Sequence, residues 1–345
     1  MHDKTALVTG AAGFIGHHLV RFLQEKGYWV MAVDREFPKW ASPTADYFDY
    51  NCDIREYQAL HKVMDTLRTA SIQINELYAL AADMGGIGYI TDHGYSLVRN
   101  NAYINLNTAE IARRFKVPRL FFTSSACVYP KDLQMHEYGG VLTEDDAWKG
   151  PPDSWYGIEK LMAETIYESL AESEGTIVRI ARFHNIYGPE GSWNDGRTKA
   201  PAAVCRKIAR VALSNSKPSP PIEVWGDGRQ TRSFCYIDDC LEMIWRLMRS
   251  DYDKPMNIGT DKGVSIDELY DLAAAIAGVE IAKEYDLDKP QGVRRRNADL
   301  TLMRETLNYE PQVSLEDGMR QTYEWVKEQI ELEERRRAAA KEMTQ

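Results

Sequence analysis

Ser125, Tyr156 and Lys160 are the residues of this chain whose types and spacing could move a proton. Tyr156 and Lys160 are four apart, so on a helix they share one face. A phenol beside an ammonium, with a serine hydroxyl in reach, is a plausible set for taking a proton from an alcohol and returning it. Cys127 adds a reactive thiol two residues beyond Ser125. Both belong to the run Phe121-Phe122-Thr123-Ser124-Ser125-Ala126-Cys127-Val128-Tyr129-Pro130. This run reads as a buried strand that ends in a turn closed by proline. Open α/β sheets place ligands at the carboxyl ends of their strands, which is where the hydroxyls and the thiol fall. Tyr-x-x-x-Lys by itself is a weak pattern, since small strand-end residues beside a chance Tyr–Lys pair would read the same way. The elements that precede it give it weight.

Residues 4–9 form a short apolar strand, followed by Gly10-Ala11-Ala12-Gly13-Phe14-Ile15-Gly16 and then the helical apolar spacing of Leu19, Val20 and Leu23. This is a strand–glycine turn–helix unit. Its glycines allow a tight turn and let the backbone approach a pyrophosphate at the helix N-terminus. The next strand, residues 29–33, ends in Asp34, near the ~20-residue spacing expected of a ribose-binding carboxylate. A carboxylate there accepts from a 2′-hydroxyl and repels a 2′-phosphate, which favours NAD over NADP. Gly10, Gly13, Phe14, Ile15, Gly16 and Asp34 are therefore the expected cofactor contacts. Asn51-Cys52-Asp53-Ile54-Arg55 reads as a third strand end, where Asp53 is either an adenine contact or a helix N-cap. Residues 77–82 are a further strand, and Asp83-Met84-Gly85-Gly86-Ile87-Gly88 follows it as a glycine loop suited to close approach of a ligand.

Downstream, residues 96–115 have helical periodicity. Pro151-Pro152-Asp153-Ser154 supplies a stop and a cap before a helix that carries Tyr156 to about residue 173. Residues 176–181 form a strand that ends in Arg182-Phe183-His184-Asn185. His184 reads as a structural histidine, and Asn185 as a strand-end amide able to hold a sugar or phosphate. Beyond about 190 the alternation of strand and helix loosens. Gly292-Val293-Arg294-Arg295-Arg296-Asn297 is a local basic cluster. With Arg232 and Lys207 it could supply the counter-charge of a diphosphate. The segment from Glu328 to Lys341 reads as a charged helix.

These pieces imply an α/β chain, a Rossmann-like doubly wound parallel sheet with a smaller C-terminal α/β substrate-binding lobe. The expected division is 1–190 for the NAD-binding domain, with returns over 222–260, then 191–335 for the lobe and 336–345 as a charged tail. A chain of 345 residues, 44% hydrophobic, can bury such a core. Its formal charge of −10 argues against a general nucleic-acid binder. No apolar run approaches the ~20 residues of a membrane span. Five cysteines without a CxxC pair fit reduced thiols in the cytoplasm, no targeting peptide is visible, and no metal site is expected.

Together the motifs resemble the extended short-chain dehydrogenase/reductase superfamily of nucleotide-sugar enzymes, over about residues 4–330. Longer strings are similar to the GDP-mannose 3,5-epimerase family. They are Met84-Gly85-Gly86-Ile87-Gly88, Ser124 to Pro130, Arg182 to Pro189, Gly196-Arg197-Thr198-Lys199-Ala200-Pro201-Ala202-Ala203 and Gly292 to Asn297. The resemblance implies oxidation of GDP-mannose at C4 with bound NAD, inversion at C3 and C5, and reduction at C4. It implies that Tyr156 takes the C4 hydroxyl proton, that Lys160 lowers the pKa of Tyr156, and that Ser125 bonds the same oxygen. Cys127 and Lys199 become the acid/base pair. Gly85, Gly86, Ser125, Asn185, Lys199, Lys207, Gln230, Arg232 and Arg296 become substrate contacts. A homodimer through the helices near 96–115 and 155–173 is implied in the same way. Thr198 stands where the family often has glutamate, and Arg295 where it has glycine.

A GDP-fucose synthase-like reductase also places a cysteine after the serine strand, but Asp34 and Lys199 argue against it. A 4,6-dehydratase would want Asp-Glu where Ala126-Cys127 stand, and a simple 4-epimerase needs no thiol at 127. A non-catalytic NAD-binding regulator has no need of Ser125, Tyr156 and Lys160 together.

Overall fold

The computed structural model describes residues 4–40, 44–136, 141–214 and 220–342. Its strands are β1 (Thr5–Thr9), β2 (Trp29–Val33), β3 (Tyr47–Asp49), β4 (Glu76–Ala79), β5 (Arg119–Ser125), β6 (Ile177–Phe183), β7 (Ile186–Tyr187), β8 (Ile222–Trp225), β9 (Thr231–Ser233), β10 (Cys235–Tyr236), β11 (Met256–Ile258), β12 (Gly263–Ser265), β13 (Lys283–Asp286) and β14 (Arg295–Arg296). The helices are α1 (Phe14–Glu25), α2 (Tyr57–Thr69), α3 (Ile87–Asp92), α4 (Gly94–Arg114), α5 (Trp155–Glu174), α6 (Ala200–Leu213), α7 (Ile237–Arg249), α8 (Ile266–Ala277), α9 (Thr301–Leu307) and α10 (Leu315–Glu342).

Seven strands form one sheet in the order β11-β6-β5-β4-β1-β2-β3. All its neighbours pair in parallel. Helices cover both faces, so β1 and β4 are buried along their whole length, as near-continuous apolar runs must be in a parallel sheet. The chain winds one way through β2 and β3 and the other way from β4 onward. The carboxyl ends of β1 and β4 therefore border the crevice where such sheets bind ligands.

A smaller lobe holds a β12-β9-β14 sheet and a β13-β8 pair, whereas β10 pairs with β7 and α7 packs back on α1, β5 and β6. Helix α10 packs on α6 and α8 through buried Met319, Tyr323, Val326 and Ile330, which share one helical face. The charged segment read from Glu328 is thus the second half of a longer helix. Its residues 334–342 are exposed, while 343–345 of the expected tail lie outside the described residues. Two other expectations shift. The third strand ends at Asp49 instead of near Cys52, and the glycine loop after β4 closes into the short helix α3. Of the return expected over 222–260, β8 pairs within the lobe, whereas β11 joins the large sheet.

A buried ion pair fixes the part of the sheet that matters most. Arg182 on β6 donates from Nε to Glu164 Oε1 at 2.9 Å and from Nη2 to Oε2 at 2.7 Å, both residues being almost wholly buried. The Ser124 hydroxyl donates to the same carboxylate. This ties α5 to the ends of β5 and β6. Arg182→Ala leaves Glu164 buried without its partner and should cost roughly 3–5 kcal/mol of stability, read by denaturant unfolding. A loss within about 1 kcal/mol would show that water replaces the guanidinium.

Candidate active site

At the end of β1 the glycine turn is dictated by packing. Gly10 has φ of +70°, and a Cβ there would lie 2.6 Å from the Ala81 backbone nitrogen. A Cβ on Gly16 would lie 2.0 Å from the Gly10 carbonyl oxygen. These two glycines let α1 and β4 press against the turn. Gly13 has more room and caps α1, whose first turn holds neither a side-chain cap nor an acidic residue. The leading amides around Phe14, Ile15 and Gly16 are thus free for an anion. The Asp34 carboxylate accepts from the Ala12 N–H at 2.9 Å and the Arg35 N–H at 2.7 Å. Burial pushes its pKa up, and these amides oppose the shift. Asp53 lines the same cleft and accepts from Arg55 Nε at 2.9 Å. Glu56 is the residue that caps α2, so the N-cap reading of Asp53 does not hold.

The catalytic candidates meet where β5 ends and α5 begins. Ser125 closes β5, and its Oγ accepts from the Cys127 N–H at 3.2 Å, which starts one turn of 3-10 helix. Ser154 caps α5 by accepting from the Gly157 N–H at 3.2 Å. Only glycine fits next, because a Cβ at Gly157 would lie 1.9 Å from the Cys127 carbonyl oxygen. That contact brings Tyr156 against Ser125 and Cys127. Burial raises the Tyr156 phenol well above its ordinary range, while a hydrogen bond with Ser125 pulls it down. Lys160 is buried, donates to the Thr123 carbonyl at 2.8 Å, and lies 5.8 Å from the centroid of the Tyr156 ring. The Thr123 carbonyl takes one of its three N–H donors, and burial is the first cause of the Tyr156 shift.

The thiol has a partner that the sequence did not suggest. Arg296 donates from Nη1 to Cys127 Sγ at 3.3 Å and from Nε to Gln134 Oε1 at 2.7 Å, and it pairs with Asp153 through Nη2. Burial, reinforced by Asp153, pushes the Cys127 thiol up, and Arg296 opposes. Lys199, the N-cap of α6, reaches the same space from the other lobe. Burial pulls its ammonium down, and no hydrogen-bond or carboxylate partner holds it among the described residues. Burial thus favours the neutral form of both groups, a thiol and an amine.

Toward the lobe, Arg232 donates to the Thr231 and Val293 carbonyls and has no carboxylate partner among the described residues. Burial and Arg296 pull its pKa down to about 9. A half-buried guanidinium without a carboxylate partner is a place for an anion. Arg294 is instead paired with Asp227 at 2.8 Å and Arg296 with Asp153, so of the expected counter-charges these two already have carboxylates while Arg232 has none among the described residues. Gln230 donates to the Trp225 carbonyl at 2.9 Å and leaves Oε1 buried without a partner among the described residues. Asn185 sits at φ of +45°, a strained conformation for a non-glycine residue, and donates to the Ser233 carbonyl at 2.9 Å. Lys207 reaches the Glu223 carbonyl. Gly85 and Gly86 lie where a Cβ would meet Tyr89 or the Thr198 carbonyl, each at 2.8 Å. Arg197 latches this loop by donating to the Tyr89 hydroxyl at 2.9 Å and to Asp83 at 3.2 Å. Gly10, Gly13 to Gly16, Asp34, Asp53, Gly85, Gly86, Ser125, Cys127, Tyr156, Lys160, Asn185, Lys199, Lys207, Gln230, Arg232 and Arg296 line one cleft of about 1270 Å³. That exceeds the ~300–1,000 Å³ of a pocket for a single small molecule and suits two ligands end to end.

The NAD dependent epimerase/dehydratase family matches residues 6–259. The chain belongs to that family. Its members' cofactor is NAD, and the glycine cradle and Asp34 fit that group. The family also fits the seven-stranded sheet: the structure of UDP-glucose 4-epimerase with UDP-glucose from Thermotoga maritima superposes with a TM-score of 0.80 at 25% identity, covering 94% of this chain and 99% of that one. The UDP-glucuronic acid 4-epimerase of Bacillus cereus, solved with UDP-glucuronic acid and NAD, gives 0.75 at 25% identity, covering 94% and 99%. In sequence the chain is 41% identical to GDP-mannose 3,5-epimerase 1 of Oryza sativa subsp. indica over 94% of its own length and 82% of the relative's. For an epimerase of this family the Asp34 geometry has a direct consequence. Stripped protein titrated with both dinucleotides should bind NAD at least tenfold tighter than NADP, since a 2′-phosphate meets a buried carboxylate. Equal affinities would remove Asp34 from the ribose site.

Gln134, Asp153, Arg197 and Gly157 escaped the sequence reading as parts of the site. Asp153 read as part of a helix stop, and nothing local tied it to Arg296, 143 residues away. Gly157, lying between Tyr156 and Lys160, was the legible signal, because a glycine in a first helical turn implies a close approach.

Proposed function

We propose that this chain is a GDP-mannose 3,5-epimerase that forms GDP-L-galactose and GDP-L-gulose. One observation supports this reading above others: Cys127 and Lys199 converge on the cleft beside Ser125 and Tyr156. Oxidation and reduction at C4 need only Ser125, Tyr156 and Lys160. A second titratable pair is useful when the carbons flanking C4 must exchange protons. A C–H beside a hydroxyl is too weak an acid to ionise, but beside a C4 ketone both C3–H and C5–H become acidic enough for enzyme bases.

NAD, when bound, would supply the acceptance and return of the C4 hydride. Gly10, Gly13, Phe14, Ile15 and Gly16 would hold its pyrophosphate, Asp34 its ribose and Asp53 its adenine end, and Tyr156 and Lys160 would contact it at the catalytic end of the cleft. Tyr156 takes the proton of the C4 hydroxyl as a phenolate, the form that a cationic Lys160 beside it favours, and Ser125 bonds the same oxygen. The Lys199 amine takes the carbon-bound proton, and the Cys127 thiol delivers one to the opposite face. This direction follows from burial, which favours the neutral amine and the neutral thiol. Arg296 keeps the sulfur in place through its bond to Cys127. Arg232 and Lys207 take the diphosphate, and Gly85, Gly86, Asn185 and Gln230 take the sugar and nucleoside. In this reading residues 1–190 carry the dinucleotide, with 191–335 forming most of the substrate side.

The test is incubation of purified protein with GDP-mannose in D2O without added cofactor. Deuterium at both C3 and C5 of recovered sugar is expected. Deuterium at neither carbon, with C4 inversion alone, would make the protein a 4-epimerase.

We infer that the chain works as a homodimer. Tyr95, Tyr103 and Leu106 on α4 and Trp155, Ile158 and Met162 on α5 are large apolar side chains left exposed on adjacent helices, an area a second copy would cover. A monomer in sedimentation at micromolar concentration would overturn this. All five cysteines are unpaired and no described helix is long and apolar enough to cross a membrane, which supports a cytoplasmic setting.

A further inference from the structure

We propose that His17, His18 and Glu190 form a binding site for a divalent transition-metal ion of the zinc class. No local pattern points to one, since the histidines are adjacent on α1 and Glu190 lies 173 residues beyond the first of them. The fold places all three together, with one ligand atom from each lying within 4.8 Å of the others.

The orientation of the rings carries the argument. His17 Nδ1 lies 2.9 Å from the Gly13 carbonyl oxygen, and His18 Nδ1 lies 2.9 Å from that of Phe14. A carbonyl can only accept, so each Nδ1 bears the hydrogen. In a neutral ring this leaves Nε2 as a lone pair. Both Nε2 atoms point at the same carboxylate oxygen, Glu190 Oε2, at 3.2 Å from His17 and 3.7 Å from His18. Metal-binding histidines are held in this way, with Nδ1–H on a carbonyl and Nε2 presented to the ion. Bonds of about 2.0–2.1 Å around a tetrahedral ion set ligand atoms roughly 3.3–3.4 Å apart, close to both observed separations.

Protons explain the arrangement less well. Two imidazolium rings with centroids 4.3 Å apart, both nearly buried and beside Arg21, would repel each other. If at most one is protonated, the other turns a lone pair toward a carboxylate. Arg21 Nη2 donates to Glu190 Oε2 at 2.6 Å and supplies the positive charge in the metal-free state. Its side chain is about one-third exposed and can withdraw, so Arg21 and the metal ion compete for Glu190. Glu190 itself is held at φ of +60°, a strained backbone for glutamate that aims its carboxylate at α1. A bound ion would clamp the first turn of α1 to the loop after β7, at the wall of the dinucleotide cleft, which both His17 and Glu190 line. The ion has no part in the proposed C4 chemistry.

The test uses the untagged full chain, stripped with a chelator and dialysed against limiting ZnCl2, with bound metal measured per chain. CoCl2 provides a visible spectrum that reports the ligand set. One equivalent of zinc is expected, together with a tetrahedral cobalt spectrum lacking thiolate charge transfer. Glu190→Gln and His17→Gln should weaken uptake by roughly 100-fold or more, beyond what loss of an outer-shell partner costs. Arg21→Ala should tighten it, and Cys127→Ser should leave it unchanged. No uptake by the wild type would overturn the site. Uptake that survives Glu190→Gln, or that disappears in Cys127→Ser, would do the same. Glu190 lies in a loop and its glutamine variant keeps the shape, so the result does not depend on whether the His17 variant folds.

Discussion

Cys127→Ser and Lys199→Ala should each cut formation of the inverted sugars by about 10²–10⁴-fold, the usual worth of a positioned acid or base. C4 oxidation should persist in both. The Cys127 sulfur rests on Arg296 at 3.3 Å, and burial reinforced by Asp153 outweighs Arg296 and Ser125 to favour the neutral thiol. A serine hydroxyl fits that space but is a far weaker acid, so it cannot deliver a proton in step with carbanion formation. Lys199 works as an amine, and burial pulls its ammonium below the ordinary value of 10.5, while the Cys127 thiol is pushed above 9.0. Activity should therefore rise with pH as Lys199 loses its proton and fall as the Cys127 thiol ionises. The alkaline limb should vanish from the residual activity of Cys127→Ser. NMR of sugar recovered from D2O decides the matter. Deuterium still entering C3 and C5 of the Lys199→Ala product at near wild-type rates would make Lys199 a binding residue only.

Tyr156→Phe should stop the cycle earlier and lower turnover by a similar 10²–10⁴-fold. Here C4 oxidation itself fails, so deuterium at C3 and C5 should disappear along with the redox signal. That pattern separates Tyr156 from Cys127 and Lys199, whose loss leaves the ketone accessible. The phenol is buried beside Ser125 with its pKa raised well above the ordinary value. Removing its oxygen leaves the packing of the ring in place. Dinucleotide affinity should hold within a few fold, because the glycine turn and Asp34 stand at the other end of the cleft. Wild-type turnover in this variant would take Tyr156 out of the mechanism.

The unit from residue 4 to Asp34 was legible because its physics is local. A glycine that must admit a backbone 2.6 Å from its missing Cβ, followed by a helix, tolerates few other sequences. The strand that ends in Ser125 and the shared face of Tyr156 and Lys160 were legible for the same reason, since strand and helix periodicity are properties of neighbouring residues. The basic cluster at 292–297 shows where that ends. Three arginines in a row read as one patch of charge, and strand alternation alone would put Arg294 and Arg296 on one face. Only the fold decided that Arg294 meets Asp227, that Arg296 turns inward to Cys127 and Asp153, and that Arg232 is left half-buried with no carboxylate partner among the described residues. The same holds for Lys199 opposite Cys127 and for Glu190 against His17 and His18. Contacts between segments far apart in the chain depend on how β6, β7 and the lobe return to the first turn of α1, which no local pattern encodes.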